Sequence, residues 1–142
     1  VLDLVAEAGN ITKVKDKLYQ ILPKATVDRM AKIFVTAMEI HWYDHVMAQH
    51  HIQKWVTNSI SKTINMPSYV QPEDVFKVFI LAGLFDLKGV TVYRNGSLMT
   101  QVLNAGDDGL VHPPSEYTKK LIADRVKQMG IRWLEELFGD VI

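Results

Sequence analysis

Thr57-Asn58-Ser59-Ile60-Ser61-Lys62-Thr63-Ile64-Asn65-Met66-Pro67 is the stretch that decides how this chain folds. β-Branched residues alternate with small polar ones and a proline closes the run, which predicts an extended segment over 57–65. Pro72-Glu73-Asp74 then opens a helix, because proline suits the first turn and the two acids complement the helix dipole. Val75, Val78, Phe79, Leu81 and Ala82 carry that helix to about Phe85. Gly89-Val90-Thr91-Val92-Tyr93-Arg94 reads as a second strand over 89–94, ended by the Asn95-Gly96 turn signal. Strand, helix and strand within about forty residues predict a βαβ crossover, the kind of connection that parallel strands require. Two strands cannot close a sheet and would leave bare edges. They are therefore either small additions to a helical body or part of a larger barrel.

Outward from this unit the pattern is helical. Leu2, Val5 and Ala6 before Gly9-Asn10 read as the last turns of a helix. Val14, Leu18, Ile21 and Leu22 form another apolar face that Pro23 stops. Thr26 is the expected N-cap of a helix carrying Val27, Met30, Ala31 and Phe34. A further helix is expected from about Trp42 to Trp55. After the second strand, residues 104–114 contain Gly106, Gly109, Pro113 and Pro114 and read as a linker. Ser115 then caps one long amphipathic helix to about Phe138, with Leu121, Ile122, Val126, Met129, Trp133 and Leu134 on its apolar face. The expected organisation is a barrel-end segment over 1–103, the linker, and a carboxy-terminal helix over 115–142.

The 142 residues are 48% hydrophobic and carry sixteen basic and sixteen acidic side chains, so one domain with a substantial core is expected. That balance supplies no broad positive field for nucleic acid. The longest apolar run, Val78 to Phe85, is too short to span a bilayer, and a cytoplasmic location is expected. The absence of cysteine rules out disulfides, thiolate metal sites and a thiol nucleophile within this chain. The sequence begins at Val1 inside an amphipathic pattern, from which truncation, processing or excision of a domain is expected.

The 57–67 stretch, together with Leu87-Lys88-Gly89-Val90-Thr91-Val92-Tyr93-Arg94-Asn95-Gly96-Ser97 and Gln101-Val102-Leu103, resembles the end of the catalytic barrel in class II, adenosylcobalamin-dependent ribonucleotide reductases. Upstream, Ile33-Phe34-Val35-Thr36-Ala37-Met38-Glu39-Ile40 and His45-Val46-Met47-Ala48-Gln49 match the stretch that precedes those motifs. The resemblance covers about residues 1–103 in consistent order. It implies an α/β fold, mostly helical as an isolated piece, that forms the last βαβ unit of a ten-stranded barrel with flanking helices. In that family adenosylcobalamin yields a thiyl radical on a barrel cysteine, which abstracts the ribose 3′ hydrogen. None of the cysteine motifs matches this chain, so the partner implied is the remaining barrel segment, acting on a ribonucleotide. The chain itself is expected neither to work alone nor to bind the cofactor tightly alone. Thr91 and Val92 stand where oxygen-dependent reductases place adjacent radical-relay tyrosines, and Tyr93 is read as a packed aromatic. The tail over 104–142 has no counterpart in the resemblance.

On this reading Asn58, Ser61, Thr63, Asn65 and Thr91 are the residues expected to touch nucleotide or corrin. Ser61-Lys62-Thr63 lacks the glycine loop of a phosphate-binding run, and in an extended segment Lys62 points away from its neighbours. His41 and His45 lie four apart on one helical face, a spacing that zinc helices use. With no third ligand, an exposed histidine patch formed with His50 and His51 is the favoured reading. Two functional readings follow. One is a fragment or split subunit of the reductase. The other is a catalytically silent binding or regulatory module descended from the barrel end. Bare strand edges also permit a homodimer.

Overall fold

The computed structural model describes residues 18–33, 35–97 and 111–142. The expected elements before Leu18, and the linker as far as Leu110, lie outside the described residues. In chain order the elements are α1 (Lys24–Ile33), α2 (Trp42–Gln53), β1 (Thr63–Met66), α3 (Pro72–Leu84), β2 (Thr91–Arg94), α4 (Glu116–Met129) and α5 (Arg132–Leu137). β1 and β2 are parallel neighbours, with Thr63 opposite Thr91, Ile64 opposite Val92, Asn65 opposite Tyr93 and Met66 opposite Arg94. The connection between them runs through α3, so the βαβ unit forms as the sequence implies.

The helix start at Pro72 is built from the expected parts. Asp74 reaches back to accept from the Gln71 backbone N–H at 3.1 Å, in a first turn that also holds Glu73. α1 corrects the expectation of a Thr26 cap. Pro23 starts it, its carbonyl accepting from Thr26 N at 2.8 Å and Val27 N at 3.2 Å, which places Thr26 within the first turn. Proline can do this because a helix start has no use for the N–H it lacks.

Both strands are shorter than expected, and the reason is hydrogen-bond capture. Backbone carbonyls ahead of β1 are taken by side chains in place of a neighbouring strand. The Gln53 amide donates to Val56 O and Asn58 O at 2.9 Å each, Gln49 donates to Ile60 O at 3.2 Å, and Lys88 donates to Thr57 O. Pairing therefore begins only at Thr63. Gly89 O is likewise held by Gln49, at 2.6 Å, so β2 begins at Thr91.

The expected single carboxy-terminal helix is two. Gly130 takes the left-handed conformation (φ 62°), and its N–H closes α4 on the Val126 and Lys127 carbonyls before α5 starts. The break folds α5 back so that Leu134 and Phe138 join Ile122 and Val126 in the core. Ser115 caps α4 as read, accepting from Thr118 N at 3.2 Å.

One core holds α2 to α5 and the two strands together. Tyr43 and Val46 of α2, Ile64 and Met66 of β1, Val78 and Leu81 of α3, and Ile122, Val126, Leu134 and Phe138 of the tail are all buried. Each side chain of this size contributes roughly 1.5–3 kcal/mol on leaving water. The rings of Tyr43 and Phe138 meet edge to face at 6.2 Å between centroids. Among the described residues, no helix is long and apolar enough to cross a membrane.

Candidate functional site

The sheet has two unlike faces. Ile64 and Met66 point into the helical layer and are fully buried, and Val92 packs against the same cluster. Strand alternation sends Thr63 and Asn65, with their partners Thr91 and Tyr93, to the opposite face. There Thr63 and Thr91 are exposed while Asn65 and Tyr93 are half-buried. Ser61, also exposed, lies two places ahead of Thr63 on the extended approach and continues the row. Four of the five residues proposed from sequence, Ser61, Thr63, Asn65 and Thr91, thus share one bare, hydroxyl- and amide-lined face. Asn58 does not join them; it sits in the bend before the strand, its carbonyl held by Gln53.

Lys62 turns the other way, as alternation requires. Its ammonium donates to Nδ1 of His45 at 2.9 Å, and Nε2 of His45 donates to the Ala37 carbonyl at 2.8 Å. Burial pushes the His45 pKa down; the Ala37 contact opposes this, and the Lys62 charge adds to it. Burial also lowers the pKa of Lys62.

The four histidines are therefore not an exposed patch. His45 is buried, and each of the others is engaged by a specific partner. His41 is the N-cap of α2, its Nδ1 accepting from Tyr43 N at 3.2 Å, and its ring stacks on Trp42 at 4.0 Å. Desolvation holds the His41 pKa down at about 4 despite the nearby carboxylates of Asp44, Asp140 and Asp74. His50 donates to Phe85 O at 2.9 Å. His51 donates to Met47 O at 2.7 Å and accepts from the Tyr117 hydroxyl at 3.0 Å. A neutral imidazole has one donor and one acceptor, and in His45 and His51 both are in use. Among the described residues no group of three or more potential ligands could hold a metal ion.

Two groups of residues that sequence reasoning passed over shape the surroundings. At the far end of the strands, Arg94 donates through Nε to Val70 O at 3.1 Å and through Nη2 to Ser68 O, fixing the loop that leads into α3. Beside it a cleft of about 470 Å³ is lined by Val70, Gln71, Pro72, Val75 and Arg94. At the entry end, Gln49 and Gln53 lie one turn apart on α2, both buried. Their signal in the sequence was two amides in step with Val46 on what should be an apolar helix face.

The fold is a helix-backed parallel βαβ wall, and comparison places it in a family. Residues 3–93 match the family model described as ribonucleotide reductase, barrel domain, and the chain belongs to that family. Among its relatives is a vitamin B12-dependent ribonucleoside-diphosphate reductase of Thermoplasma acidophilum, 36% identical over 118 residues, which are 83% of this chain and 14% of that protein. A protein of the same name in Mycobacterium tuberculosis is 39% identical over 72 residues, 51% of this chain and 10% of its own length. A vitamin B12-dependent ribonucleotide reductase of Streptomyces clavuligerus is 28% identical over 108 residues, 74% of this chain and 10% of that protein. The similarity is to a carboxy-terminal piece of the barrel in the class II, B12-dependent reductases. The chain spans at most 14% of the length of these three relatives. No solved structure matches it.

Proposed function

We propose that this chain supplies the last two strands of a ten-stranded barrel in a cytoplasmic, adenosylcobalamin-dependent ribonucleotide reductase, as a fragment or split subunit. A separate segment carries the cysteines. The observation that supports this reading most is the two-faced sheet, apolar toward the helices and polar on the side a barrel would enclose. Ser61, Thr63, Asn65 and Thr91 form part of the wall of the nucleotide or cobalamin pocket. Their hydroxyl and amide groups fit ribose hydroxyls or the amide arms of a corrin, on a flat wall that other segments must complete. Adenosylcobalamin, when bound, supplies a carbon-centred radical by breaking its cobalt–carbon bond. This chain's part is to orient the bound groups and exclude water, since it has no thiol to carry the radical or to reduce the ribose.

Mixing the chain with the cysteine-bearing remainder, and assaying adenosylcobalamin-dependent conversion of ribonucleotide to deoxyribonucleotide, tests the proposal. Turnover is expected from the mixture and from neither part alone. Full activity of the remainder alone, or no gain on mixing, would overturn it.

A second reading, a catalytically silent binding or regulatory module, is favoured by one observation. α4 and α5 complete the core with Ile122, Val126, Leu134 and Phe138 while Ser61, Thr63 and Thr91 stay exposed. Such a module would bind a nucleotide in isolation and add nothing to turnover. Apart from the remainder, the open strand edges would favour a homodimer, which would appear as a concentration-dependent mass in sedimentation.

A further inference from the structure

We infer that Gln49 is a positioning residue: its side-chain amide, carried by α2, sets the two strands in register and so brings Thr63 against Thr91 and Asn65 against Tyr93. The side chain is fully buried. Its single amide nitrogen donates to Ile60 O at 3.2 Å and to Gly89 O at 2.6 Å, carbonyls that lie just ahead of β1 and β2 respectively. One atom thus fixes the level at which both strands begin.

The strands need such a determinant. They pair over only four residues each, and a short parallel pair has little stability of its own. Burial of Ile64 and Met66 selects the face, because a slip of one residue would turn the apolar side chains outward. A slip of two residues keeps every side chain on its face, so the apolar pattern does not distinguish it from the observed register. A contact fixed along the strand axis does. Gln53, one turn further along α2, holds Val56 O and Asn58 O and delivers the chain to that contact. The amide nitrogen makes two hydrogen bonds while the buried Oε1 makes none, so its place in an apolar helix face rests on the donor side: a smaller or apolar side chain would release two carbonyls in the interior.

The consequence for a ligand rests on the barrel-wall reading above; the pairing of the strands does not, and its firmness is measured on the chain alone. Gln49→Met keeps the side-chain volume and removes the amide. Native-state hydrogen exchange should show the amides within 63–66 and 91–95 that bond across the strand pair losing at least about tenfold in protection relative to those of Ile122 and Val126 in α4. Gln49→Glu adds a pH dependence at the strands, of the opposite sign to the acid sensitivity that the lowered pKa values of His41, His45 and His50 give the whole unaltered chain. Relative protection of the same amides should be partly regained as the carboxyl is protonated, since the neutral acid donates once, and lost as it ionises. An equal fall at the strands and at α4 in Gln49→Met would reduce Gln49 to an ordinary core residue. Unchanged protection of the strands would also overturn the inference. Should Gln49→Glu fail to fold, Gln49→Met decides the matter. Neither failure would bear on the mixing assay.

Discussion

The ammonium of Lys62 lies 2.9 Å from Nδ1 of His45, inside the layer between β1 and α2. The contact fixes His45 as the Nε2–H tautomer, because that nitrogen donates to Ala37 O. It also places a positive charge against a ring whose pKa burial already lowers. Removing the charge should relax the ring. In Lys62→Met the His45 pKa is expected to rise, and only part of the way to the ordinary value, since burial is the larger cause. A ring-proton NMR titration measures this. An unchanged or lowered value would show that the pairing does not form in solution. The same substitution leaves Nδ1 without its donor and should cost about 1–2 kcal/mol.

His41 and His45 both have folded pKa values below the ordinary 6.5, so the folded chain binds fewer protons than the unfolded one between those values and 6.5. Stability is therefore full above about pH 6.5 and falls as the pH drops toward 4. Between pH 7.5 and pH 5 the expected loss in urea unfolding from His41 alone is roughly 1 kcal/mol once discounted for solvent screening, and the lowered pKa values of His45 and His50 add to it in the same direction. Asparagine is also a good N-cap, so His41→Asn should keep the helix start and flatten part of that slope. An equally steep slope in the variant would assign the acid sensitivity elsewhere.

How much of this was legible in the sequence depends on the range of the interaction. Pro72-Glu73-Asp74, Ser115 and the alternation about Thr63 act locally, and each lies where the pattern places it. The start of β1 was not legible, because Gln49 takes Ile60 O from eleven residues away and Gly89 O from forty. For the same reason alternation put Ser61, Thr63 and Asn65 on one face but could not reveal that Asn65 sits opposite Tyr93. The histidines misled because their polarity suggested exposure. His45 is buried by elements the sequence does not show to be neighbours, and His51 meets Tyr117 from 66 residues away. Gly130 was a local signal passed over in an otherwise continuous amphipathic pattern.

Phe138 tests whether the tail belongs to the barrel-end core. It is fully buried with its ring against Tyr43, and it lies well beyond the family match. Phe138→Ala should cost about 3–5 kcal/mol and preserve a single cooperative transition, since the cavity opens in the shared core. A cost below about 1 kcal/mol, or a separate early transition, would mean that α4 and α5 are a detachable appendage.

Gly130 isolates a backbone effect. An added Cβ would meet nothing within 4 Å, so the penalty for Gly130→Ala is the left-handed φ alone, about 1 kcal/mol. Gly130→Asn should recover part of that loss, because asparagine tolerates this region better. Thermal unfolding of the two variants side by side gives the ordering. An alanine variant as stable as the parent would show that the break between α4 and α5 does not depend on glycine.

Met66 and Thr63 share one strand and point to opposite faces, so substitutions there should separate stability from function. Met66→Ala opens a cavity beneath the helices and should cost about 2–5 kcal/mol. Thr63→Val exchanges an exposed hydroxyl for a methyl of similar shape and β propensity, so stability should change by less than about 0.5 kcal/mol. In the assembled reductase the ranking reverses if the bare face is the pocket wall. Thr63→Val, and Thr91→Val beside it, should then alter KM or turnover severalfold at unchanged Tm. Parent-like kinetics in both valine variants would leave the face as solvent-exposed strand, whatever the barrel does.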